Sequence, residues 1–276
     1  MPNIPQISYA ALEAYRARTF HLAPALRLAS EADALAFINA SGFALLWIAG
    51  EEFPLPTLSA AYSPSLAGWG WWDWKQTLPN KKACFYAKIL RHKGTFLSWD
   101  YFPYFYSVYA SPLSIEEEWQ AGTLDRTQKR LLDILSEQGP LMTKELRLAY
   151  GSPSKANTRL VKAALEVLQR SFRICPAGGD TEGWSHHRWD LVDRWVPAKY
   201  LRKARTLDPI KSGAAIIAQF LRLAGVSNVP ELTWLFGWEK ATAQQFLAAV
   251  PNLVQVKLAD EPEPVVTLKA VLKEIG

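Results

Sequence analysis

Apolar positions in the middle of the chain recur at helical spacing. In residues 154–170, Val161, Ala164, Leu165 and Leu168 fall at i, i+3, i+4 and i+7, so one face of a helix must be covered. The opposite face carries Lys155, Arg159 and Lys162, again at i, i+4 and i+7. Two shorter helical segments precede it. Residues 125–138 (DRTQKRLLDILSEQ) open on an Asp in N-cap position and stop at Gly139-Pro140. Residues 144–150 follow Thr143, the expected cap, and end at Gly151-Ser152-Pro153. Beyond the third helix, residues 172–176 and 189–192 read as strands. They are joined by AGGDTEGWSHHR, whose glycines permit the positive φ values of a loop tip.

Three helices followed by a hairpin is the order of a winged helix, in which the third helix enters the major groove and the wing touches backbone or minor groove. Cations on one helical face suit that role, because neutralising phosphates releases counterions and supplies most of the affinity for non-specific DNA. The expected nucleic-acid contacts are therefore Lys155, Arg159 and Lys162 on the third helix, Lys144 on the second, and His186, His187 and Arg188 on the wing. A solvated helix face has the same composition, and it is the order of the elements and the wing that favour DNA.

The plan recurs at both ends. Residues 209–224, 230–236 and 238–250 form a second helical triplet, closed by strands at 253–258 and 265–268. Its third helix offers only Lys240, Gln244 and Gln245, and residues 260–264 (DEPEP) make an acidic turn that repels phosphate, so this unit suits a protein partner. Toward the N-terminus, helices are expected over residues 9–18, 30–40 and 71–78, with a hairpin of 83–90 and 95–99 turning at His92-Lys93-Gly94. The Pro-rich run FPLPTLSAAYSPS resists regular assignment, and YFPYFYSVY (residues 101–109) is expected to pack between units. The fold class is thus α+β and mainly helical, built of three tandem winged-helix modules at residues 1–120, 121–200 and 201–276.

Composition narrows the chemistry. With 31 Lys+Arg against 26 Asp+Glu the net charge is +5, a modest preference for acidic partners. Basic residues cluster at 81–93, 155–162 and 199–211, and seven of the 12 tryptophans precede residue 125. The two cysteines, Cys84 and Cys175, support neither a disulfide framework nor a CxxC metal site, and a reducing cytoplasm is the expected compartment. No stretch reaches the ~18 apolar residues of a membrane span, and no export signal opens the chain. Phosphate-loop, Rossmann, zinc-protease and nucleophile-elbow motifs do not occur. Adjacent His186 and His187 face opposite ways in an extended chain, against shared metal binding. No cofactor or metal is expected.

Four segments carry a family resemblance: Trp72, Trp74, Lys75, Leu78 and Pro79; FYAKILRHKGTFLS from Phe85 to Ser98; ALEVLQR from Ala164 to Arg170; and DLVDRWVP from Asp190 to Pro197. In their order they resemble the AlkZ/YcaQ-type family of winged-helix DNA glycosylases, most of all its AlkZ-related branch, over roughly residues 30–200. The resemblance implies a concave basic surface for double-stranded DNA, including damaged DNA, and removal of alkylated bases or unhooking of crosslinks. It also implies a Gln-x-Gln or Gln-x-Asp motif after an early helix. The matching stretch here is GFALLW (residues 42–47), and neither motif occurs anywhere in the chain. Apolar side chains can neither orient a water nor stabilise an oxocarbenium ion, so the catalysis does not carry over. Glu51 and Glu52, a few residues later, are the remaining candidates for a catalytic carboxylate. The leading expectation is a DNA-binding protein related to repair, and the alternative is a glycosylase with a relocated carboxylate.

Overall fold

Ser8 starts the first helix by accepting a hydrogen bond from the Ala11 amide, one of the four donors a helix start leaves free. In the computed structural model, which describes residues 4–48, 53–66, 68–181, 186–259 and 263–276, a short strand β1 (Gln6–Ile7) precedes that helix, α1 (Tyr9–Thr19). Helix α2 (Glu31–Ser41), capped by Ser30, leads into β2 (Phe43–Leu45), and the single turn α3 (Leu58–Ala61) precedes α4 (Gly70–Asn80). The hairpin β3 (Phe85–Lys88) and β4 (Gly94–Leu97) completes an antiparallel sheet of order β2-β4-β3, with Leu97 facing both Phe43 and Phe85. Next come α5 (Phe102–Tyr109), whose Phe102, Phe105 and Tyr106 are buried as a packing role requires, and α6 (Ile115–Gln120).

The central elements form where the apolar spacing places them. Asp125 and Gln128 make a reciprocal capping box at the start of α7 (Arg126–Gln138). A two-residue strand β5 (Leu141–Met142), α8 (Thr143–Tyr150) and α9 (Lys155–Arg170) follow, then β6 (Ile174–Gly179) and β7 (His187–Leu191) in a sheet of order β5-β7-β6. Leu131, Ile134, Leu135, Leu146, Val161 and Leu168 close one core beneath them. Each fully buried leucine there contributes about 2 kcal/mol, and Leu135→Ala would open a cavity costing roughly 2–5 kcal/mol. Thr143 is not the cap of α8. It is the first helical residue, and its hydroxyl donates to the His187 carbonyl at 3.0 Å while accepting from Trp189 Nε1 at 2.9 Å, so it ties α8 to the hairpin.

Two short helices, α10 (Val192–Trp195) and α11 (Ala198–Arg205), lead to α12 (Pro209–Ala224), α13 (Val229–Phe236) and α14 (Lys240–Ala248). Strands β8 (Leu253–Leu258) and β9 (Val265–Leu268) and helix α15 (Lys269–Ile275) complete the chain; residues 260–262 of the acidic turn lie outside the described residues. Packing crosses the divisions expected at residues 120 and 200. Strand β1 pairs in parallel with β8, Ile7 opposite Leu258. Tyr15 Oη, Thr19 Oγ1 and Arg16 Nε donate to the carbonyls of Arg222, Leu223 and Ala224 at 2.6, 2.7 and 2.8 Å. These acceptors have no partner within α12 because its last turn ends there, so α1 serves as its C-terminal cap. One hydrophobic core runs from Ile7 through Phe43, Phe85 and Phe172 to Phe220 and Ile275. Among the described residues no helix is long and apolar enough to cross a membrane.

Candidate nucleic-acid interface

The basic stripe of α9 is set by how the helix begins. Ser154 Oγ accepts from the Asn157 amide at 3.0 Å, and Asn157 Nδ2 donates back to the Ser152 carbonyl at 2.9 Å. With the start fixed, Val161, Leu165 and Leu168 face the core, and Lys155, Arg159 and Lys162 are exposed along roughly 10 Å of helix. All three line one shallow concavity with Pro153, Ser154 and Thr158. None of them forms an ion pair with a described residue. Lys155 moreover occupies the first helical position, where the helix dipole disfavours a cation and no acidic residue of the first turn offsets it. Lys144 is exposed on the neighbouring α8.

The wing leans on α4. Asn80 Nδ2 donates to the Gly179 carbonyl at 2.9 Å, and Asn80 Oδ1 accepts from the Gly179 amide at 3.1 Å and from Arg188 Nη2 at 3.3 Å. A side chain at Gly178, where φ is +105°, would meet Asn80 Oδ1 at 1.8 Å, so the clamp requires glycine there. Arg188 and His186 are exposed; residues 182–185 lie outside the described residues. His187 turns inward. Its ring packs 5.8 Å from Tyr86 and 5.5 Å from Trp189, and its Nδ1 is buried without a hydrogen-bond partner. Burial first, then the positive charges of Lys75, Lys88 and His186, push its pKa down to about 3. His187 is therefore neutral near pH 7 and adds no charge to the exposed stripe.

Many cations of the other two clusters are held against the protein itself. Lys81 pairs with Glu31, Lys88 with Glu166 at 2.8 Å and Arg205 with Asp193 at 3.3 Å. Lys82 donates to the Trp195 carbonyl at 2.8 Å, and Arg91, Lys199 and Lys203 lie over the rings of Trp234, Tyr200 and Tyr104.

The stretch corresponding to the missing catalytic motif offers nothing polar. Phe43, Ala44 and Leu45 are 0% exposed within β2, Leu46 is buried, and Trp47 packs edge-on to Trp72 at 6.3 Å. Glu51 and Glu52 lie outside the described residues. Beside this stretch a cavity of about 660 Å³ is lined by Ile48, Phe53 and Leu55 together with Glu13, Arg16 and Glu231. Burial raises the Glu231 carboxyl above the usual range, against the opposing Ser227 hydroxyl bond and Arg16 charge. Glu231 had no signature in the sequence, since an acid three residues after Asn228 reads as an ordinary helix start. Among the described residues no group of three or more His, Cys, Asp or Glu is placed to hold a metal ion.

The four segments of the family resemblance meet in space. Lys75, only 4% exposed, donates to the Trp72 carbonyl at 2.9 Å with its Nζ 3.6 Å from the Trp72 ring centroid, and burial lowers its pKa to about 8 against the opposing charge of Asp73. The Lys88 amide donates to Gln169 Oε1 at 3.0 Å. Arg194 pairs with Asp190 and donates to the Leu135 carbonyl at 2.7 Å, closing the end of α7. Trp195 packs on Phe85, ring centroids 6.2 Å apart.

No curated protein matches this sequence. Among solved structures, the fold is similar to Streptomyces sahachiroi DNA glycosylase AlkZ, with a TM-score of 0.63 and 13% identity over 98% of this chain and 72% of that one. At that identity the likeness shows the fold. The AlkZ-related family matches residues 28–237, well over half of the chain, and the chain belongs to that family.

Proposed function

We propose that the protein binds double-stranded DNA as a set of tandem winged helices, with α9 as the groove-facing helix and the β6–β7 hairpin as its wing. One observation carries this reading: Lys155, Arg159 and Lys162 stand exposed on one concavity, and none of them is in an ion pair with a described residue. Lys155, a cation at the helix start with no acidic residue in the first turn, costs folding stability, and a phosphate backbone supplies the missing negative charge. Lys144, His186 and Arg188 extend the contact surface along α8 and the wing. The test is the double variant Lys155→Ala, Arg159→Ala in fluorescence polarisation across a salt series. Affinity falls for every duplex sequence, and the slope of log K against log salt flattens by about two units, one for each lost phosphate contact. Unchanged affinity and slope end the proposal.

A second reading, excision of alkylated or crosslinked bases, draws on the likeness to a protein named as a DNA glycosylase and on the cavity holding Glu231. A carboxyl with a raised pKa is what a general acid or base needs. Methylated duplex incubated with the protein and then treated with alkali shows strand breaks under this reading, and Glu231→Gln abolishes them. Breakage no greater than with heat-killed protein removes it.

A further inference from the structure

Between α1, the start of α13 and the chain that follows β2 lies the cavity of about 660 Å³ that holds Glu231. Its volume falls within the ~300–1,000 Å³ of small-molecule sites. Phe20, Leu22, Ile48, Phe53 and Leu55 give it apolar walls, and three charged side chains line it as well: Arg16 and Glu231, both half-buried, and Glu13, exposed. Arg16 and Glu231 each feel the other's charge, yet none of the three is in an ion pair with a described residue. Each of the two half-buried groups is anchored through one atom. Arg16 Nε donates to the Ala224 carbonyl at 2.8 Å, and Glu231 Oε2 accepts from Ser227 Oγ at 2.7 Å. The Nη atoms of Arg16 and Oε1 of Glu231 have no hydrogen bond to a described residue. Charges withdrawn from water without a partner are costly, and opposite charges held apart beside apolar walls fit a molecule that carries both.

We propose that this cavity binds a free amino acid with an apolar side chain, its ammonium on Glu231, its carboxylate on the Arg16 guanidinium and its side chain among Phe20, Phe53 and Leu55. A zwitterion supplies both counter-charges at once and brings no net charge into the cavity. An amine alone leaves Arg16 unpaired, and a carboxylate alone leaves Glu231 unpaired. Two acids against one guanidinium make the cavity net negative, so the ammonium is the more strongly held end. The inference goes beyond DNA binding and does not rest on it, because the cavity shares no lining residue with the concavity of α9.

The test is isothermal titration calorimetry on the full chain with three ligands that share one ring: L-phenylalanine, 2-phenylethylamine, which lacks the carboxylate, and 3-phenylpropanoate, which lacks the ammonium. Phenylalanine binds roughly tenfold tighter than the amine, and the amine tighter than the acid, since a charged hydrogen bond is worth about a factor of ten or more. Glu231→Gln keeps the shape of the side chain and an acceptor for the Ser227 hydroxyl. In that variant the affinity for phenylalanine falls about tenfold, while 3-phenylpropanoate binds no more weakly than before. An amine that binds as tightly as phenylalanine overturns the part given to Arg16 and with it the zwitterion. Unchanged phenylalanine affinity in Glu231→Gln also overturns the proposal, as does the absence of heat with all three ligands at ~10 mM. The ligand series needs no variant, so it decides alone if Glu231→Gln does not fold. Each of these failures leaves DNA binding standing, because the salt series on duplexes measures that separately.

Discussion

Lys88 Nζ donates to Glu166 Oε1 at 2.8 Å, joining strand β3 to helix α9, and the Lys88 amide donates to Gln169 Oε1 one turn further along. A single residue thus holds the C-terminal half of α9, the helix that carries the basic stripe, to the sheet at two points. Burial alone would raise the Glu166 carboxyl, but the hydrogen bond and charge of Lys88 prevail and hold it below its usual range. Its stabilising contribution is therefore present above the unfolded carboxylate pKa and is lost as pH falls through the lowered folded value. Both side chains are more than a quarter exposed, at 39% and 29%, so Glu166→Gln costs under about 1 kcal/mol at neutral pH and less still near pH ~3. Gln169→Ala costs more, about 1–3 kcal/mol, because it takes the acceptor from the partly buried Lys88 amide. Urea titrations of the two variants give the order.

A different ion pair lies out of reach of solvent. Arg173 and Glu118 meet at 2.8 Å with side chains 8% and 9% exposed. Glu118→Ala leaves the guanidinium buried without its partner and lowers unfolding free energy by about 3–5 kcal/mol, read as a drop in the urea midpoint. The double variant Glu118→Leu, Arg173→Met recovers much of that loss, because no charge is then left stranded.

His187 predicts an acid-sensitive fold. Its pKa drops from 6.5 in the open chain to about 3 when folded, so unfolding takes up a proton throughout that interval. Stability from this group is complete above pH ~6.5 and is lost as pH falls toward ~3. In His187→Phe the thermal midpoint declines less between pH ~7 and ~4.5 than in the unaltered protein. Equal declines disprove the assignment.

Gly213 sits inside α12, where Ala is normally better by about 1 kcal/mol. A Cβ there would lie 2.3 Å from the Phe246 ring of α14, and overpacking costs typically 1–3 kcal/mol. The clash outweighs the propensity, so Gly213→Ala lowers the urea midpoint with little change in slope.

What the sequence disclosed follows from which contacts are local. The period of Val161, Leu165 and Leu168 fixes which face of α9 is buried, and so where Lys155, Arg159 and Lys162 emerge. The burial of Phe102, Phe105 and Tyr106 follows equally from their density. Strands β1 and β5 are two residues long and have no period to read; helix α11 buries only Leu201 and Ala204, and its charges stand out in the sequence instead. From sequence Thr143 reads as a cap because threonine is favoured at that position, whereas its tie to Trp189 spans 46 residues. Of two adjacent histidines, alternation says that one turns in but not which. The pairing of Met142 with Arg188 and Gly179 with His187 decides it. The cavity that holds Glu231 draws on positions from Glu13 to Glu231 and has no local signature at all.

The parallel pairing of Gln6 with Lys257 has a kinetic meaning. During synthesis α1 emerges before α12, and the carbonyls that its Tyr15, Arg16 and Thr19 satisfy belong to residues 222–224. Helix α1 cannot dock until some two hundred further residues have been made. Contacts of such separation carry a large loop-closure cost, so the docking of α1 on α12 forms more slowly than the local packing of either helix.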